Sequence, residues 1–80
     1  MTYREKYLSL TTWQDKVLIM NLYHCLKELE ETSWTLRKTA KYFSKSTGYV
    51  SESLKLANHM ELIKHCELRK DALLIVRDIK

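Results

Sequence analysis

The stretch from Trp34 to Ala57, WTLRKTAKYFSKSTGYVSESLKLA, constrains the fold more than any other part of this chain. Leu36, Ala40 and Phe43 recur at i, i+4 and i+7, and Val50, Leu54 and Ala57 repeat that spacing further on. Between the two sets lies SKSTG, which has no large apolar residue. The pattern predicts two short amphipathic helices joined by a tight polar turn, a helix-turn-helix spanning about residues 35–60. Such a pair needs a small residue where the helices cross and a branched apolar residue early in the second helix. Ala40 and Val50, ten positions apart, have those properties, and Leu54 adds a contact one turn on.

The rest of the chain agrees with an all-α domain. Eighty residues make one domain with a modest core, since a chain this small buries only roughly 60–65% of its unfolded surface. There is no Pro and a single Gly, and good helix formers are frequent. The expected fold is a tri-helical helix-turn-helix core with an N-terminal arm, Met1–Leu10, and a C-terminal helix. Thr11 or Thr12 can cap a helix running to about Glu31, with Asp15 in its first turn. Thr35 can cap the first motif helix, with Trp34 before it as a staple, and Ser46 or Thr47 can cap the second. In the long helix Leu18, Leu22, Cys25 and Leu29 form one stripe, widened by Ile19 and Leu26. Val17–Leu26 is apolar on most sides, which suits a helix at the centre of the fold or one shared with a second subunit. That is the sequence argument for a homodimer. In the tail, Leu68, Ala72, Ile75, Val76 and Ile79 make a helical stripe. The competing reading is a winged helix, with Leu62–Cys66 pairing on Ala72–Val76 as a β-hairpin.

The net charge of +4 is mild, but its distribution is uneven. Between Trp34 and Met60, Arg37, Lys38, Lys41, Lys45 and Lys55 face Glu52 alone, so the predicted motif carries the positive excess. A basic face on such a motif is the footprint of a polyanion, here double-stranded DNA. On the second motif helix, about residues 47–58, Thr47, Gly48, Ser51, Glu52 and Lys55 face outward, with Tyr49 at the front edge. These six are the base-contact candidates. Hydroxyls of Thr47 and Ser51 can bond to phosphates or base edges, Glu52 can accept from a cytosine amino group, and Lys55 can reach a phosphate or guanine. Gly48 allows close approach of a backbone. Arg37, Lys38, Lys41, Lys45 and Ser46 are the phosphate-contact candidates, Ser46 together with the free amides of a helix start.

The segment SKSTGYVSESLKLA resembles the helix-turn-helix of ParB/KorB-type proteins and related small phage DNA-binding proteins. In that pattern an Ala is followed in register by Gly-Lys-Ser, Val-Ser and a Leu-x-Leu. Ala40, Lys45, Ser46, Val50, Ser51, Leu54 and Leu56 occupy those positions. The resemblance implies sequence-specific binding of duplex DNA, often as a dimer on a repeated or palindromic site, by a small transcriptional regulator of phage or mobile-element type. Ser44 stands where the family pattern has Gly, so a turn of different shape is expected. The nucleotide-binding domain of partition proteins is absent from the 80 residues, so nucleotide hydrolysis is not carried over.

Other chemistry has little support. His24-Cys25 and His65-Cys66 are adjacent pairs, whose side chains on a helix point about 100° apart and chelate one ion poorly. Both cysteines are expected to be small buried apolar groups, and no metal or other cofactor is expected. No phosphate-cradling loop or paired-carboxylate pattern points to an enzyme or a small-molecule substrate. Tyr42, Tyr49 and Trp34 could stack on single-stranded bases, although aromatics at helical spacing are more often core. Met1–Leu10 is charged, and no run approaches the ~20 apolar residues that span a bilayer. A cytoplasmic location and no membrane contact are therefore expected. The competing functional reading is a helix-turn-helix scaffold that binds a host or partner protein.

Overall fold

Four hydroxyl side chains set where the helices begin. The computed structural model describes residues 2–78. Thr2 accepts from the Glu5 amide at 3.1 Å, and the Thr2 amide donates back to the Glu5 carboxylate at 3.2 Å. This capping box starts α1, Tyr3–Ser9. Thr12 accepts from the Asp15 amide to start α2, Trp13–Glu30. Thr35 does the same from Lys38 for α3, Leu36–Phe43, and Ser46 from Tyr49 for α4, Thr47–Asn58. Each cap satisfies one amide that the helix itself cannot, worth about 1 kcal/mol. A short α5, Met60–Ile63, and α6, Arg69–Arg77, follow. The described residues contain no strand, so the C-terminal segment is a helix and not a wing. Within its stripe Ala72 and Val76 are buried, while Leu68 and Ile75 are exposed and Ile79 lies outside the described residues.

α2 and α4 form the spine and pack against each other. At one end α1 and α3 join them around Tyr7, Ile19, Met20, Tyr23, Ala40, Phe43 and Val50. At the other end α5 and α6 join them around Val17, Leu56, Ile63, Cys66, Ala72 and Val76. The first cluster is aromatic. The Tyr23 ring stacks on Tyr42 at 4.3 Å and meets the edges of Tyr3, Trp34 and Phe43. Such pairs contribute ~0.5–1.5 kcal/mol each beyond their buried area. The second cluster is closed by the Cys66 carbonyl, which accepts from the Trp13 indole at 2.9 Å and from the Gln14 amide at 2.8 Å. These bonds tie the α5–α6 connection to the first turn of α2.

Three expectations are corrected. The N-terminal segment is not an arm but a capped helix whose Tyr7 is buried in the core. The long helix presents a different face inward. Val17, Ile19, Met20, Tyr23 and His24 are buried, whereas Leu18, Leu22, Leu26 and Leu29 are exposed. Cys25 is likewise exposed, and only Cys66 is a buried thiol. The cause is the aromatic set of α1 and α3, which recruits the Met20–Tyr23 side of α2. His24 is held there by its Nδ1, 2.7 Å from the Thr39 hydroxyl, and its Nε2 faces Glu28 at 3.3 Å. The same hydroxyl accepts from the Trp34 indole at 2.7 Å, which turns the predicted staple into a hydrogen-bonded lock between α2 and α3.

Candidate nucleic-acid interface

The turn between α3 and α4 has the tight geometry the motif requires. Ala40 and Val50 are both buried, as the ten-residue spacing predicted. Leu54 is half-buried against the first cluster, and the innermost residues of α4 are Val50, Ser53 and Leu56. The Lys45 amide reaches back to the Ala40 carbonyl at 2.9 Å, closing the end of α3. Ser44 makes this possible by adopting a left-handed backbone, φ 58 and ψ 43. The turn expected to differ from a glycine turn therefore has the glycine shape, held by a residue with a Cβ. That conformation costs roughly 1–2 kcal/mol for such a residue, against ~0.5–1 kcal/mol for the extra chain entropy of glycine. Ser44→Gly is expected to raise stability by about 0.5–1 kcal/mol, read as a Tm increase of a few degrees. The loss of the exposed 3.3 Å bond from Arg4 Nη2 to the Ser44 hydroxyl subtracts little.

The base-contact candidates divide into two groups. Thr47, Gly48, Ser51 and Lys55 are exposed, and Thr47, Ser51 and Lys55 follow one another at i, i+4 and i+8 along one face of α4. Gly48 belongs to that face, and its conformation makes no demand for glycine. Its φ is not positive, and an added Cβ would meet only the Ser46 hydroxyl, at 4.0 Å. Tyr49 and Glu52 are half-buried and engaged by other residues of the chain. The Tyr49 hydroxyl bonds to that of Tyr7 at 2.9 Å, and its ring meets Lys45 Nζ at 5.1 Å and the Arg69 guanidinium at 4.0 Å. Burial, reinforced by this Tyr49 contact, pushes the Tyr7 hydroxyl well above the ordinary tyrosine value of 10.0. The Glu52 carboxylate faces Arg77 at 3.6 Å and Arg69 at 3.9 Å, so a cytosine amino group would compete with two guanidiniums.

The phosphate-contact candidates are spread along α3 and the turn that follows it. Arg37, Lys38 and Lys41 are exposed on α3, and Lys45 and Ser46 are exposed in the turn itself. Lys38 Nζ rests 5.5 Å from the Trp34 ring. The Ser46 hydroxyl is used as a cap, leaving the first-turn amides of Thr47 and Gly48 to meet solvent or an anion.

Two basic residues join this region from distant parts of the chain. Arg4 of α1 reaches Ser44, and its amide donates to the Tyr42 hydroxyl at 3.2 Å. Arg69 of α6 braces α4 by donating from Nη2 to the Tyr49 carbonyl at 3.3 Å and the Ser53 hydroxyl at 3.1 Å. Its Nη1 is buried without a hydrogen-bond partner among the described residues, and the Tyr49 ring face and the Glu52 carboxylate, 3.9 Å from Nη2, offset the guanidinium charge. No local pattern marks either residue, because their partners lie 40 and 20 positions away.

Among the described residues no three His, Cys, Asp or Glu side chains are grouped to hold a metal ion, and no helix is long and apolar enough to cross a membrane. Comparison of the chain with family models, with curated proteins and with solved structures finds no significant match.

Proposed function

We propose that the chain is a sequence-specific double-stranded DNA-binding protein, a small transcriptional regulator that acts in the cytoplasm as a homodimer. The observation that carries this reading is the exposed face of α4. Small and hydroxylic residues line it, and exposed basic residues occur on α3 and in the turn that precedes it. In a helix-turn-helix the second helix enters the major groove while neighbouring cations grip phosphates. Thr47, Ser51 and Lys55 are the base-edge contacts, and Arg37, Lys38, Lys41 and Lys45 the clamps. The ParB/KorB-type pattern of Ala40, Lys45, Ser46, Val50 and Ser51 supports the same assignment. Arg69 and Tyr49 act indirectly by fixing α4 against α6.

The test is selection from random duplex DNA at about 0.15 M salt, near physiological screening. An enriched motif is the expected result. Failure to enrich any sequence with folded protein would overturn the reading and turn attention to a protein partner for the same face. Gly48→Ala separates binding from folding. A methyl at Gly48 makes only an ordinary van der Waals contact with the Ser46 hydroxyl and improves helix propensity by up to ~1 kcal/mol, so thermal stability holds or rises. If a DNA backbone approaches Gly48, affinity falls at the same time. Unchanged affinity in this variant would remove Gly48 from the interface.

A further inference from the structure

α2 carries an apolar seam that the fold leaves uncovered. Leu18, Leu22, Cys25 and Leu29 are exposed and follow one another at alternating steps of four and three, the spacing of a two-helix interlock. Leu29 is 84% exposed, and Leu18 and Leu22 are close to half exposed. Beside the first two turns of the seam lies a shallow groove of about 370 Å³ lined by Lys6, Leu10, Asp15, Leu18, Ile19 and Leu22. The other end of the seam is acidic on balance: Leu29 is flanked by Glu28, Glu30 and Glu31, against Lys27, which pairs with Glu30 at 3.4 Å, while Glu28 faces His24.

We propose that a second copy of this chain seats on this seam with its α2 antiparallel, Leu18 against the partner's Leu29 and Leu22 against the partner's Cys25. The two ends of the seam complement each other only in that direction. Antiparallel packing lays the acidic C-terminal turn of one α2 beside Lys6 of the other copy, and seats Leu29 in the groove. Asp15 is already compensated by the N-terminal end of its own helix. A parallel pair would bring the acidic ends of the two copies together and leave both grooves open. The two-fold arrangement uses one patch twice, as an isologous dimer must. The proposal rests on the homodimer part of the functional reading and is independent of whether α4 binds DNA.

Sedimentation of the full chain without DNA is expected to show a dimer that Leu22→Glu or Leu29→Glu converts to a monomer with unchanged helical circular dichroism. A monomer at concentrations up to about 100 µM, or a dimer indifferent to both substitutions, would overturn the proposal. The direction is read by cross-linking in a Cys25→Ser background. Leu18→Cys mixed with Leu29→Cys should form a disulfide-linked pair on mild oxidation, and neither should link efficiently to itself. Homotypic linkage of either variant would overturn the antiparallel arrangement. DNA selection on the monomeric variant gives a separate readout, so loss of the dimer and loss of the DNA reading are distinguishable.

Discussion

Neutralising Lys38, Lys41 and Lys45 together, each to Gln, is expected to lower affinity for every duplex by about 10²-fold at 0.15 M salt. Each phosphate contact contributes ~0.9 to the slope of log K against log salt, which is a factor of roughly 5 at that salt, and three compound. The slope itself should fall by about 2.7 if all three residues grip phosphates. All three side chains are exposed, so their loss leaves the core intact. Lys38 and Lys45 each give up an aromatic contact, with Trp34 and Tyr49, worth ~0.5–1 kcal/mol at exposed sites. Circular dichroism should therefore show the same helix content and a slightly lower Tm. Fluorescence anisotropy titrations over a range of salt give both numbers. The preferred sequence should stay the same, because phosphates carry no base identity. Unchanged slope and affinity would mean that these cations serve only as solvated surface, and the DNA assignment would fall.

The motif was legible because its determinants are local. Ala40, Val50, the two caps Thr35 and Ser46, and the polar turn all act within a few residues of one another, so spacing and residue type predict them. The turn shape was less legible. Ser44 normally avoids φ near 58°, and the conformation is imposed from outside by the Lys45 amide closing on Ala40 and by the Val50 packing beyond it. The partners of Glu52 and Tyr49 were not legible. Glu52 read as a free acceptor and Tyr49 as a front-edge aromatic, because Arg69, Arg77 and Tyr7 reach them only after α1 and α6 dock. The same holds for Arg4. Contacts assembled across the fold hide their remote members from periodicity, however clear the local ones are.

The long helix shows the opposite failure, and it yields the largest expected loss of stability. Met20→Ala should cost ~2–5 kcal/mol, since Met20 is fully buried between α1, α3 and α4 and its removal leaves a cavity. A domain of 80 residues has only about 4–12 kcal/mol in total, so the variant should melt some 10–30 °C lower or fail to fold at 37 °C. Leu29→Ala, at dilution where the chain is monomeric, should stay within about 0.5 kcal/mol of the parent. A reading of α2 by leucine content gives the reverse order, because Leu18, Leu22, Cys25 and Leu29 make the more regular stripe. Periodicity could not choose between two apolar faces of one helix. The choice is made by tertiary partners. Tyr7, Phe43 and Tyr42 offer ring faces and edges that Tyr23 and Met20 fill, and Thr39 offers a hydroxyl that His24 can use. Thermal melts of the two variants decide between the faces. A large loss for Leu29→Ala with a small one for Met20→Ala would place the leucine stripe in the core and turn α2 over. The expected order leaves that stripe outside, where its burial requires a partner.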